Sequence, residues 1–90
     1  MSDTKKPAAK IRLYPVTAAI WRNENKQGIF YGFTIERSYK DEKGNFKTTS
    51  TFNASDALLL AKVVDLVDTK IRELVAIERQ TVQPDEEETA

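Results

Sequence analysis

Between Lys10 and Phe52 the chain alternates apolar and polar side chains with a period of two. Tyr14 to Trp21 sets Val16, Ala18 and Ile20 against Thr17, Ala19 and Trp21. Ile29 to Tyr39 sets Ile29, Tyr31, Phe33 and Ile35 against Phe30, Gly32, Thr34 and Glu36. Phe46 to Phe52 sets Phe46, Thr48, Ser50 and Phe52 against Lys47, Thr49 and Thr51. Alternation rich in β-branched and aromatic residues predicts strands. Pro15 has no N–H to give to a ladder, so it belongs at an edge or a bulge, or it splits the first run into Lys10–Tyr14 and Val16–Trp21. The sheet therefore has three strands or four. Asp41-Glu42-Lys43-Gly44-Asn45 suits a type I turn followed by a left-handed Gly44, and Asn23 to Gly28 reads as a longer polar hairpin loop. Symmetric closure of the two hairpins would set Trp21 opposite Phe30 and Phe33 opposite Phe52.

From Asn53 the period becomes helical. Asn53 or Ser55 can cap free backbone amides, and Asp56 suits the positive end of the helix dipole. No Gly or Pro interrupts the run from Ala54 to Arg79. Leu60, Val64, Val67, Ile71 and Leu74 form one stripe, which Leu59, Val63 and Leu66 widen in its first half. Such a helix is ~37 Å long, against the ~17–20 Å of a typical strand. Its second half, with Ile71 and Leu74, therefore lacks sheet to pack on and is assigned to a dimer interface. One helix and one small sheet also build a thin core, which favours a homodimer. The expected fold is α+β: an antiparallel sheet of three to four strands followed by one long C-terminal helix (β-β-β-β-α). Residues 1–9 read as a flexible basic arm, 10–80 as the single domain and 81–90 as a disordered acidic tail.

The alternation divides the sheet into two faces. Val16, Ala18, Ile20, Ile29, Tyr31, Phe33, Ile35, Phe46 and Phe52 form the face that meets the helix. Thr17, Ala19, Trp21, Phe30, Gly32, Thr34, Glu36, Lys47, Thr49 and Thr51 form an open face. Arg12 and Tyr14 join the open face or not according to what Pro15 does. Aromatic rings among hydroxyls and cations suit unpaired nucleic acid, because bases stack on the rings while Lys and Arg follow the phosphates. Candidate phosphate contacts are Lys10, Arg12, Arg22, Lys26, Lys40, Lys43 and Lys47. A cross-strand aromatic pair that only stabilises the hairpin, or a pair buried in a dimer, would also place Trp21 and Phe30 here.

Charge sharpens this picture. Fourteen basic and fourteen acidic residues in 90 give a net charge of zero. Residues 1–50 carry ten Lys/Arg and five Asp/Glu (+5), and residues 51–90 carry four and nine (−5). All eight aromatic residues lie between Tyr14 and Phe52, inside or close to the basic part. The absence of His and Cys removes the commonest general base, thiol chemistry and most structural zinc sites. Glu36 and Asp41 are the remaining acid–base candidates and have no partner at useful spacing. Asp65 and Asp68, three apart, lack a third ligand. The expectation is thus a binding protein with no catalytic residues, metal or cofactor. No run approaches the roughly 18 apolar residues of a membrane span, and the Lys-rich start lacks the apolar segment of a secretory signal, so a cytoplasmic location is expected.

The run from Phe33 through Lys47, with its Lys-Asp-Glu-Lys-Gly-Asn hairpin, a short strand and a helix starting near Ser55, resembles the positive cofactor four family of single-stranded DNA-binding coactivators. It is similar also to the Pur-alpha repeat. The likeness spans roughly residues 10–75 and implies four strands and a helix, dimers or paired repeats, and single-stranded nucleic acid on a curved sheet. The matching positions are Trp21, Phe30, Arg37, Lys40, Lys43 and Lys47. The basic, Ser-rich arm of the eukaryotic coactivator is reduced here to Lys5-Lys6. The function expected is therefore binding of single-stranded nucleic acid, DNA before RNA, in transcription, replication or repair. The alternative is a protein-interaction or dimerisation module.

Overall fold

The structure, a computed structural model, describes residues 6–82. The acidic run from Asp85 to Glu88 and most of the expected N-terminal arm lie outside that range. Four antiparallel strands, β1 (Ala9–Leu13), β2 (Val16–Asn25), β3 (Gly28–Lys40) and β4 (Phe46–Thr49), form a sheet in the order β1-β2-β3-β4. A single 3-10 turn (Ala54–Asp56) leads into helix α1 (Ala57–Val82). The fold is α+β with the β-β-β-β-α order that the two periodicities predict.

Pro15 splits the first apolar run, as one of the readings required. Tyr14 and Pro15 make a tight turn through a cis peptide bond, and Leu13 pairs with Val16 directly across it. Strand β1 begins one residue early, at Ala9, and the Ala8 N–H donates to the Ile20 carbonyl at 2.7 Å. The end of the expected arm is thus part of the sheet.

The second connection is shorter than the loop expected over Asn23 to Gly28. The strands continue to Asn25 and restart at Gly28, with only Lys26 and Gln27 between them. The Asn25 side chain accepts the Gln27 N–H at 2.8 Å, and Gly28 takes a positive φ of 130° that suits glycine. Trp21 consequently pairs with Gly32 and Asn23 with Phe30, two residues from the expected register. An even shift leaves every β2 and β3 side chain on its expected face.

The third connection changes a face. Asp41 and Gly44 close a turn (Gly44 N–H to Asp41 O, 3.0 Å), Gly44 is left-handed (φ 89°), and the ladder resumes with Asp41 N–H to Asn45 O at 2.9 Å. The extra residue is a bulge, so Lys40 pairs with Phe46, and the β3–β4 ladder ends at Arg37–Thr49, short of the expected Phe33–Phe52 pair. A shift of one residue turns β4 over. Phe46 joins the open face, while Lys47 and Thr49 turn to the helix side, the reverse of the expected arrangement.

The fully buried core is Val16, Ala18 and Ile20 from β2 with Val63 and Val67 from α1. Burial of each of the Val and Ile side chains contributes about 1.5–3 kcal/mol. Ala9, Ile11, Leu13, Tyr31, Ile35, Phe52, Leu59, Leu60, Ile71 and Leu74 pack around it. Ile71 and Leu74 thus pack against the chain's own core, and not at the dimer contact that the helix length predicts for them. The reason is strand length. Ten-residue β2 and thirteen-residue β3 reach ~33 and ~44 Å, comparable with the ~39 Å of a 26-residue helix. The helix lies over β1 and β2, and as far along as Glu78 it still reaches sheet side chains, Arg22 and Tyr31. Beside it, Phe33 on β3 stays 44% exposed, and Ile29 and Val64 are also exposed.

Candidate nucleic-acid interface

The register fixes which side chains share the open face. Across β1, β2 and β3 the rows are Lys10–Ala19–Thr34 and Arg12–Thr17–Glu36, with Trp21–Gly32 and Asn23–Phe30 on one side and Ser38–Thr48 and Lys40–Phe46 on the other. The helix covers the opposite face, so no element of the described residues overlies these rows.

Trp21 is half-buried, and its indole N–H donates to Thr34 Oγ1 at 3.2 Å. That bond crosses from β2 to β3 and fixes the ring over the row beside Gly32. Lys10, Thr17, Ala19, Thr34 and Glu36 complete a depression of about 210 Å³ against the indole. Phe30 is 51% exposed, diagonal to Trp21 across the ladder. A second depression of about 290 Å³ is lined by Arg12, Tyr14, Thr17, Ser38, Phe46 and Thr48, with Lys47 at its edge. Lys40 Nζ lies 5.4 Å from the centroid of the Phe46 ring, a cation–π contact between residues that also pair in the ladder.

Three of the candidate cations gather at the β3–β4 turn. Lys40, Lys43 and Lys47 border a shallow depression of about 600 Å³ with Tyr39, Asp41 and Glu42. The Asp41 carboxylate accepts the N–H groups of Lys43 and Asn45, both at 2.9 Å, and lies 3.5 Å from Lys47 Nζ. These hydrogen bonds, that from Asn45 first, hold its pKa below the ordinary carboxylate value. Asp41, an acid–base candidate by sequence, is therefore engaged in shaping its turn. Lys26 stands in the β2–β3 turn, next to the Phe30 end of the open face.

Besides Lys47, two candidate cations lie on the helix side. Arg22 Nε donates to Glu78 Oε2 at 2.7 Å, and the Tyr31 hydroxyl donates to the same oxygen at 2.9 Å. Glu24 adds a longer contact to Arg22 at 3.7 Å. The Glu78 pKa is lowered, first by the Arg22 hydrogen bond and then by that of Tyr31. The Tyr31 hydroxyl is raised by burial and by its bond to Glu78. This cluster ties the last turns of α1 to the sheet. Arg37 ties the other end: its Nε and Nη2 donate to the Thr51 carbonyl at 3.1 and 3.0 Å, and Nε lies 3.4 Å from Asp56 Oδ2. Asp56 reaches back to accept the Asn53 N–H at 2.9 Å, which caps the start of the helical segment. Arg37 and Asp56 side chains are only 16% and 14% exposed.

Of the nine candidate binding residues, Arg12, Trp21, Phe30 and Lys40 are thus brought together on the open face. Lys26 and Lys43 sit in its bordering turns, Lys47 at an edge, and Arg22 and Arg37 in helix-side ion pairs. Sequence reasoning assigned Phe46 to the core. The signal that would have moved it is Gly44, because a bulged turn adds one residue to the count.

On α1, Asp65 lies 3.9 Å from Lys62, and Asp68 pairs with Arg72 at 2.9 Å. Among the described residues no three acidic side chains converge as a metal site would need, and no helix is long and apolar enough to cross a membrane. Comparison with protein-family models, curated proteins and solved structures finds no match to this chain.

Proposed function

We propose that the chain binds single-stranded nucleic acid on the open sheet face and works as a homodimer. The observation that carries the first part is the Trp21 depression. A half-buried indole is hydrogen-bonded to Thr34, flanked by threonine hydroxyls and by Lys10, on a face that no helix of the described residues covers. Each base stacked on such a ring contributes ~1–3 kcal/mol whatever its identity, and cations follow the backbone. A duplex is read by an element that enters a groove. The helix here lies against the sheet, so unpaired strands are the better substrate. Roles in transcription, replication or repair all supply such strands.

Support for the homodimer lies on the other face, where Ile29 and Phe33 of β3 and Val64 of α1 are exposed. A second copy covering this flank would extend a core that has five fully buried side chains among the described residues. Fluorescence titration of Trp21 with a mixed-sequence oligonucleotide tests the binding. Quenching that weakens steeply with added salt is expected. No binding at low salt, or binding unchanged in Trp21→Ala, overturns the proposal. Salt-tolerant capture of a protein partner with no oligonucleotide binding would point to an interaction module.

A further inference from the structure

The open face carries a second aromatic pair that the Trp21 site does not use. Tyr14 is 72% exposed and Phe46 62%, and both border the depression that also contains Arg12. Nothing in the core needs either ring. Phe46 lies on this face only because the Gly44 bulge turns β4 over, and Tyr14 stands at the β1–β2 turn beside it. The two depressions have Thr17 in common, so they adjoin between Trp21 and Phe46. Lys10 and Arg12 lie along β1 on one side of that path, and Lys40 stands at its far end over the Phe46 ring. Three cations face one carboxylate there, Glu36, which suits a polyanion.

We propose that Tyr14 and Phe46 form a second stacking station, and that one strand of nucleic acid runs from Trp21 over Thr17 to Phe46. The inference rests on the proposed function and adds the course and the length of the bound strand. From Trp21 to the level of Phe46 the path covers eight residue positions along the strands and two strands across. At about 3.3 Å per residue and about 4.8 Å per strand, that is ~28 Å. A strand stacked at about 3.4 Å per nucleotide needs about eight nucleotides to span it, and an extended one fewer. Both lie within the range of roughly 4–16 nucleotides typical of single-strand sites. Lys40 would then pass from its ring contact to a phosphate.

The test compares wild-type protein with Phe46→Ala and Phe46→Tyr for binding of a fluorescent oligonucleotide of about twelve nucleotides, long enough to reach both stations. Phe46→Ala should weaken binding about tenfold or more, the scale of one lost base stack, and Phe46→Tyr should restore it. A second measurement uses Trp21→Phe/Phe46→Trp, whose single indole reports on the far station and should be quenched by the same oligonucleotide. If wild-type protein binds and Phe46→Ala binds equally well, the second station is overturned while the proposed function stands. An unquenched indole at position 46 likewise overturns it and leaves the patch to a different partner, such as a protein. If wild-type protein binds no oligonucleotide, the proposed function itself falls, and the second station with it.

Discussion

Trp21 stands directly across the β2–β3 ladder from Gly32, and its indole N–H reaches Thr34 two residues further along the same strand. The ring leans toward Thr34 and stays clear of Gly32, where an added Cβ would come within 4 Å of no indole atom. The hydrogen bond on the ring's polar edge ties it to β3, and one apolar side chain becomes a fixed platform toward one end of the open face.

The position opposite the ring tolerates a small addition. A Cβ on Gly32 would meet only the Asn23 side-chain nitrogen at 3.8 Å, an ordinary contact. Glycine within a strand costs about 0.5–1 kcal/mol relative to alanine. Gly32→Ala should therefore raise the urea midpoint by a stability gain of about 0.5 kcal/mol, and a lowered midpoint would contradict this.

The ring itself carries the binding. Trp21→Ala should cost ~1–3 kcal/mol of oligonucleotide affinity. Thr34→Val keeps the ring but removes its acceptor, so it should cost less. Binding isotherms for the two variants decide the order, and equal losses would show that the fixed orientation is what matters.

Arg37 and Arg12 should behave differently. Arg37→Ala removes the bonds to Thr51 and the contact to Asp56 in a partly buried setting, with an expected loss of about 1.5–3 kcal/mol of stability. The salt dependence of oligonucleotide binding should stay unchanged. Arg12→Ala should leave stability nearly unchanged and reduce the salt slope by about one ion. Chemical denaturation and salt titration of both variants separate the roles.

The Glu78 cluster makes stability depend on pH at both ends of the range. Glu78 has a lowered folded pKa, so its contribution is complete above its ordinary value of about 4.5 and is lost as the pH falls through the folded value. Tyr31 has a raised folded pKa, so its contribution is complete below its ordinary value of about 10 and is lost as the pH rises through the folded one. Thermal melts of Glu78→Gln should show a shallower acid decline than wild type. Tyr31→Phe should show a shallower alkaline decline. Unchanged limbs in both would refute the linkage.

The uncovered flank beside the helix predicts assembly through Phe33. Phe33→Asp places a charge on the exposed apolar side of β3. Sedimentation should show a dimer for wild type and a monomer for the variant, with oligonucleotide binding weakened but not abolished.

The strands from Val16 to Trp21 and from Ile29 to Tyr39 were legible because alternation is a property of neighbouring residues on one strand. The two-residue error at Lys26-Gln27 did no harm, since an even shift returns each side chain to its own face. The one-residue error at Gly44 moved Phe46 from the expected core to the open face and Lys47 the other way. Arg22 and Arg37 read as surface cations for a similar reason. Their partners Glu78 and Asp56 lie 56 and 19 positions away, and spacing along the chain carries no trace of them.

By itself the sequence determined the elements, their order, the change from period two to a helical period near Asn53, and the gathering of rings and cations in the first part of the chain. These follow from local dihedral preference and from the side on which each element is apolar. Only the tertiary structure decided where α1 lies, over β1 and β2, which arginines are tied to the helical segment, and which way β4 faces. Those outcomes depend on the exact residue count through each turn and on packing between distant segments. A single bulged glycine or a shifted helix axis alters them without changing the pattern of the sequence.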